Sequence, residues 1–221
     1  MNTDTAIQQR HACRAFLEKP ISEAQIQHIL DIARWAPSGV NTQPWKVAVV
    51  QGRKKQDITD ALIMAKDSQQ QANPDYQYYP SHWDEPYKNR RKDCGLSLYG
   101  ALEIRREDFA KQKQAWNNNY RFFGAPVGLF IFIDAKLAQG SWLDLGMFIQ
   151  NIMLAAIEEG LATCPQASLA DYPDIIRQQL GWPASDRLAC GLSLGYADTE
   201  HPVNRYRLDR EPLNAFTRWY K

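Results

Sequence analysis

The sequence predicts one domain of mixed helix and strand, and three observations carry that expectation. Apolar runs bounded by turn residues recur at Lys46 to Val50, Val127 to Ile133 and Leu188 to Leu194, as strands require. Stretches with apolar side chains at helical spacing are interleaved with them. With 221 residues, 44% hydrophobic and 11% aromatic, the chain can bury a full core as one unit.

The elements follow in order. After opening helical material, Pro20-Ile21 reads as a stop, Ser22 as an N-cap and Gln25 as its capping-box partner. Ile26, Ile29, Leu30 and Ala33 then share one helix face, and Pro37 ends the helix. Lys46 to Val50 reads as a buried strand, turning at Gln51-Gly52 into a second amphipathic helix with Ile58, Leu62 and Ala65. From about Lys66 to Trp116 the composition shifts to Gln, Asn, Tyr, Trp and charge, with Pro74, Pro80 and Pro86 among the aromatics. Disorder goes with few aromatics, so this segment reads as an excursion or lid over a site. Val127 to Ile133, bounded by Pro126 and Asp134, suits a strand covered on both faces. A long helix follows from about Ser141, striped by Trp142, Leu145, Ile149, Ile152, Met153 and Ala156 and closed by Gly160. Pro173 opens a shorter helix to Leu180, and Leu188 to Leu194 forms the last core strand.

Charge and composition exclude several function classes. The formal net charge of +1 gives no support to a nucleic-acid or membrane partner. No run approaches the roughly 20 apolar residues of a span, and Met1 to Gln8 lacks the basic start and apolar stretch of a secretory signal. Cys13, Cys94, Cys164 and Cys190 are scattered, so reduced thiols and a cytoplasmic setting are expected. His28, His82 and His201 lack the spacing of metal ligands, and no metal site is expected. There is no Gly-x-Gly-x-x-Gly, P-loop or Gly-x-Ser-x-Gly pattern, and no paired-carboxylate spacing for hydrolysis.

Three separated pieces carry fixed charge or amide groups on backbone that cannot continue a helix. These are Arg10-His11-Ala12-Cys13-Arg14, the loop from Pro37 to Trp45, and Arg205-Tyr206-Arg207. Arg10 and Arg14, four residues apart, can reach one side of a helix or its start. Arg205 and Arg207 share a face of an extended tail. Four converging guanidinium groups repel one another unless an anion sits among them, and a dianionic phosphate relieves this. In the loop, Pro37 and Pro44 fix the ends, Gly39 allows close approach, and Asn41 and Gln43 can read a ring edge. Alone, each arginine pair also suits a solvated surface, and the loop an ordinary helix-to-strand connection. Together they suit a planar, phosphorylated, hydrogen-bonding ligand such as a flavin phosphate.

These pieces, with Asn118-Asn119-Tyr120-Arg121-Phe122-Phe123-Gly124-Ala125-Pro126, the turn Gly160 to Gln166 and Ser193-Leu194-Gly195-Tyr196-Ala197, resemble the FMN-dependent nitroreductase family, within it the nitrobenzene and nitrobenzoate reductase branch. The resemblance covers nearly the whole chain and is weakest over Lys66 to Trp116. It implies an α+β fold with a central mixed, mostly antiparallel sheet flanked by helices, in an intertwined homodimer with FMN at the subunit interface. By position, Arg10, Arg205 and Arg207 would hold the phosphate and ribityl end, with His11 and Ala12 along the same segment and Arg14 near N1 and O2 of the ring. Ser38, Gly39, Asn41 and Gln43 would come from the partner chain. Pro165, Gln166 and Ala167 would lie near N5, and Asn118 and Arg121 at the ring edge and nicotinamide side. Ala12 stands where many members have a hydroxyl residue, and Arg14 where many have lysine.

The activity so implied is NAD(P)H-dependent reduction of nitroaromatic compounds, with quinones as further acceptors, in a two-electron ping-pong cycle. NADH or NADPH docks transiently, the flavin carries the chemistry, and Arg14 stabilises negative charge. Reductive dehalogenation, enone or thiazoline redox chemistry, and a flavin-binding regulator that does not turn over are the alternatives.

Overall fold

The computed structural model describes residues 1–221. Four antiparallel strands form one sheet in the order β1-β2-β4-β3: β1 (Trp45–Gln51), β2 (Val127–Asp134), β3 (Ala162–Gln166) and β4 (Asp186–Gly195). One parallel bridge, Ala12 to Thr163, extends the β3 edge. The expected α+β fold is present.

The sheet sits between two helical layers because β2 and β4 are apolar on both faces. In β2 the odd positions Val127, Leu129, Ile131 and Ile133 pack toward α2 (Glu23–Ala33) and α6 (Gln139–Glu158). Its even positions Phe130 and Phe132 face the layer of α3 (Gly52–Asp67) and α7 (Pro173–Leu180). This two-sided burial is why the strand reads as a continuous apolar run.

Local signals place the ends of several helices. Both bonds of the Ser22 and Gln25 capping box are made at the start of α2. Pro173 occupies the first turn of α7, and Gly181 closes it in the left-handed region at φ 63°. The stripe of α6 buries Leu145, Phe148, Ile152, Met153 and Ala156, while Trp142 and Ile149 pack at its margin. This helix is long and apolar enough, by length and composition, to cross a membrane, so the absence of a span-length segment needs correction; its stripe here belongs to the core between α2 and the sheet.

Three other expectations change. β1 is an edge strand with Lys46 and Val49 exposed, because it pairs with β2 alone. Gly160 to Gln166, expected as a turn, contains β3, and Pro165 is tolerated there because β4 is the strand's only full partner and its outer side meets just the short bridge at Thr163. The N-terminal helix α1 (Thr3–Gln9) ends before Arg10, so Arg10 and Arg14 lie on extended backbone. There the two-residue period, not the helical one, puts them on one side.

The excursion is helical: α4 (Tyr87–Ala101) has no buried residue, and α5 (Phe109–Asn117) buries Asn117. Its beginning is tied to the core. Asp75 takes a forked pair of bonds from Arg177 at 2.7 and 3.0 Å and accepts the Leu188 N–H at 2.7 Å. Tyr76 donates to the Ala189 carbonyl at 2.6 Å and packs on Trp142 with centroids 4.5 Å apart. Asp75→Ala leaves the Leu188 N–H and part of a buried guanidinium unmatched, with an expected loss of about 2 kcal/mol. A lower denaturant midpoint with new proteolytic cuts around residues 70–86 is the expected result. An unchanged midpoint would show that this anchor carries no stability.

Candidate active site

The N-terminal segment reaches the sheet at the edge of β3. Cys13 donates its N–H to the Thr163 carbonyl at 2.9 Å, and the Ala12 bridge aligns Arg10 to Arg14 along that strand. A cleft of about 440 Å³ opens beside it, lined by Gln8, Gln9, Arg10, His11, Thr163 and Arg207 among others.

The cleft is cationic, and its charge is unbalanced. Arg10, Arg14 and Arg207 make no ion pair with a carboxylate in this chain. Arg207 instead uses Nη1 to hold the carbonyls of Asn204 at 2.7 Å and Tyr206 at 2.9 Å. Burial lowers the pKa of Arg10, and the charge of Arg210 lowers it further, while Cys164 acts the other way. Burial also pushes His11 below its ordinary value; the Gln9 carbonyl opposes this, and the charges of Arg207, Arg10 and Arg14 reinforce it. Like charges held together at a partly desolvated site store repulsion that an anion relieves. The cluster therefore suits a phosphate or another polyanionic group.

Arg205 stands apart. It follows the short 3-10 turn Pro202–Asn204 with helical dihedrals, so it does not share an extended face with Arg207. Its guanidinium is bound to Glu200 at 2.6 Å and to the Thr199 carbonyl at 3.2 Å on the surface. Arg210, which sequence spacing did not single out, lies close enough to influence Arg10 instead.

The loop from Pro37 to Trp45 is largely exposed up to Gln43 and internally braced, while Pro44 is buried and Trp45 stacks on Phe148. Val40, Asn41 and Gln43 have φ of 47°, 58° and 50°, an uncommon set without glycine. Ser38 Oγ accepts the Gln43 N–H at 2.9 Å, Thr42 Oγ1 donates to the Gly39 carbonyl at 2.6 Å, and Asp144 accepts the Gly39 N–H at 3.2 Å. The Gln43 side chain donates to the Asn41 carbonyl at 3.2 Å, so Ser38 and Gln43 shape the loop and the Asn41 side chain is free. Asp144 and Ile157 place this loop and the arginine cleft toward opposite ends of α6. At the helical rise they are about 20 Å apart along its axis. Within one chain the loop and the arginines do not form one site.

The turn carrying Asn118 and Arg121 does join the cleft side of the sheet. Gln166, buried at the end of β3, donates to the Asn119 carbonyl at 2.7 Å and accepts from Ser193 Oγ. Thr59 Oγ1 donates to the Tyr120 carbonyl at 2.9 Å, and Tyr120 donates its hydroxyl to Asp171 at 3.1 Å. These bonds hold Phe122 and Phe123 at φ 54° and leave Asn118 and Arg121 exposed. The Gln166 side chain thus braces this turn, Pro165 is exposed, and Ala167 is partly buried. Cys164 is buried and its pKa is pushed up to about 12, which removes the thiolate that redox reactivity needs.

Sequence reasoning gave no role to Thr163 or Tyr206, although both lie in segments it singled out, and it passed over Asn204 and Arg210. Asn204 accepts the Arg14 N–H at 2.8 Å and donates to the carbonyls of Ala15 and Asp198, each at 2.8 Å. Two of its three partners, Arg14 and Ala15, lie about 190 positions away, so no local spacing announces it.

Known proteins share this sequence pattern and this fold. The sequence pattern described as the Nitroreductase family matches residues 7–196. The chain is 42% identical over 214 residues to 4-nitrobenzoate reductase of Pseudomonas putida, covering 97% of this chain and 93% of that one. It is 36% identical over 215 residues to nitrobenzene nitroreductase of Ectopseudomonas oleovorans, covering 97% and 95%. The fold superposes with a TM-score of 0.97 on the FMN and NADPH-dependent nitroreductase NfnB from sphigopyxis sp. strain HMH, at 37% identity over 100% of both chains. For the FMN-dependent nitroreductase NfnB from Mycobacterium smegmatis, in complex with NADPH, the TM-score is 0.94 at 33% identity, over 99% of this chain and 97% of that one. With the match extending over nearly its whole length, the chain belongs to the nitroreductase family.

Proposed function

We propose that the protein is an FMN-dependent oxidoreductase that takes electrons from NADH or NADPH and reduces nitroaromatic compounds, with quinones as further acceptors. The observation that carries this reading is the cleft at the β3 edge, lined by Arg10, His11 and Arg207 with the charge of Arg14 also felt at His11, and no carboxylate pairs with any of the three arginines. Bound FMN supplies the two-electron redox chemistry that no side chain here provides.

The residues present fit that group. Arg10 and Arg207 offer donors suited to a phosphate, and the Arg207 guanidinium is already oriented by two carbonyls. Arg14, partly buried beside β3, would supply fixed positive charge to the reduced, anionic cofactor. Pro165, exposed, and Ala167, partly buried, stand at the end of β3 and would border the ring, while the exposed Asn118 and Arg121 would contact it from the neighbouring turn. Contact between α4 and the Pro202–Asn204 turn supports reading the 66–116 excursion as a cover for this site.

The same reading includes a homodimer. Ser38, Gly39, Asn41 and Gln43 are too far from their own cleft and serve the partner's. Trp35, Val40, Leu143, Phe216 and Trp219 expose apolar surface that a second copy would cover. A cytoplasmic setting suits the free thiols, three of them buried.

The purified protein, titrated with FMN, is expected to turn yellow, sediment as a dimer and oxidise NADH or NADPH steadily once a nitroaromatic acceptor is added. Quinones and halophenols belong in the same panel, since sole turnover of a halophenol would favour dehalogenation. A colourless monomer indifferent to FMN would end the proposal. Arg205 provides a contrast: an exposed ion pair contributes about 0–1 kcal/mol, so Arg205→Ala is expected to leave FMN affinity within about twofold. A tenfold loss by fluorescence titration would return Arg205 to the site.

A further inference from the structure

Arg14 is gripped at both ends by one turn of the C-terminal chain. Its N–H donates to Asn204 Oδ1 at 2.8 Å, and its Nη1 donates to the Tyr206 hydroxyl oxygen at 3.2 Å. Asn204 is itself buried and tied to the Ala15 and Asp198 carbonyls, so the turn bearing Tyr206 cannot shift without breaking those bonds. Tyr206 is the sole hydrogen-bonding partner of the Arg14 guanidinium in the chain.

A guanidinium carries five N–H donors, so the Tyr206 bond engages one and leaves four for a ligand. An arginine side chain loses on the order of 2 kcal/mol of rotamer entropy when fixed. A group already held on one side loses less of it on binding. Tyr206 is partly buried, and its oxygen accepts from Arg14, so the hydroxyl proton points away from the guanidinium and finds no acceptor in the chain.

We propose that Tyr206 is a positioning residue for the redox site, fixing the Arg14 guanidinium where the reduced cofactor carries its negative charge. This rests on the FMN reading above. A held cation favours the reduced, anionic form over the oxidised, neutral ring, so its effect appears as a difference between the two affinities.

Tyr206→Phe removes one oxygen and preserves the packed ring, so the fold is kept. In the FMN-loaded variant the affinity for reduced FMN is expected to fall about tenfold more than for oxidised FMN. That ratio lowers the two-electron potential by about 30 mV. Fluorescence titration of the apoprotein gives the oxidised affinity directly, and the kinetic loss is expected in kcat with KM little changed. Arg14→Gln and the double variant are expected to share one potential, because Tyr206 acts through Arg14. An unchanged potential in Tyr206→Phe, or additive effects in the double variant, would overturn the assignment. Failure of the wild-type protein to bind FMN would instead overturn the reading beneath it.

Discussion

Replacing Arg10 and Arg207 together by glutamine is expected to yield a folded protein that purifies colourless. Both side chains line the cleft, and neither meets a carboxylate in the chain. A hydrogen bond to a charged group contributes about 1.5–3 kcal/mol, so losing one from each arginine weakens FMN binding by roughly two to four orders of magnitude. The fold itself should not suffer. Burial and Arg210 already act against the charge on Arg10, and the charge of Arg207 bears on His11, so neutralising both relieves repulsion in the apoprotein. Equilibrium titration with FMN and thermal melting separate the two effects: affinity collapses while the melting temperature holds or rises. A double variant that still binds FMN at the wild-type affinity would show that the anion lies elsewhere.

Gly128→Val is expected to be strongly destabilising. Gly128 lies in β2, opposite Ser193 of β4, and faces the ring of Phe122. A Cβ there would come within 2.8 Å of Phe122 Cδ1 and closer still to other atoms of that ring. Phe122 cannot give way easily. It is completely buried, stacks edge-on with Phe130 at 5.7 Å, and sits at φ 54° in a turn braced by Thr59, Tyr120 and Gln166. Overpacking of this kind costs about 1–3 kcal/mol per insertion, and valine adds two methyls beyond the first carbon, so a loss of at least 3 kcal/mol is expected. Set against a typical stability of about 5–15 kcal/mol, this should appear as a large fall in the urea midpoint and poor soluble yield. Adding Phe122→Leu should recover part of the loss, since the two positions share one volume. If Gly128→Val melted like the wild type, the close packing at Phe122 would be refuted.

The same turn bears on the site, because Asn118 and Arg121 project from it. A partly unfolded Gly128 variant would lose FMN for a reason unlike that of the arginine variant, and its melting curve would tell them apart.

How much was legible beforehand followed the range of the interactions. The Ser22 and Gln25 capping box, the Pro173 start of α7 and the buried run of β2 are specified by residues within a few positions of one another, and all three form as expected. The positions of Arg10 to Arg14 were readable too, although their shared side arises from strand geometry and not from a helix. β3 escaped notice because five residues with an internal proline carry little periodicity; pairing with β4 makes it a strand. Arg205 and Arg207 look equivalent in sequence, yet Glu200 captures one and the carbonyls of Asn204 and Tyr206 direct the other into the cleft.

By itself, then, the chain's order of residues determined the helices that flank the sheet, its central strands, its family and the charge gathered near its beginning. Only the tertiary structure decided which arginines remain without a carboxylate, that Arg210 joins them, and that Asn204 and Tyr206 hold Arg14 from 190 and 192 positions away. Capping, turns and periodicity depend on neighbours along the backbone. The pairing of a charge depends on which acceptor the folded chain brings within about 3 Å, and no local pattern encodes that.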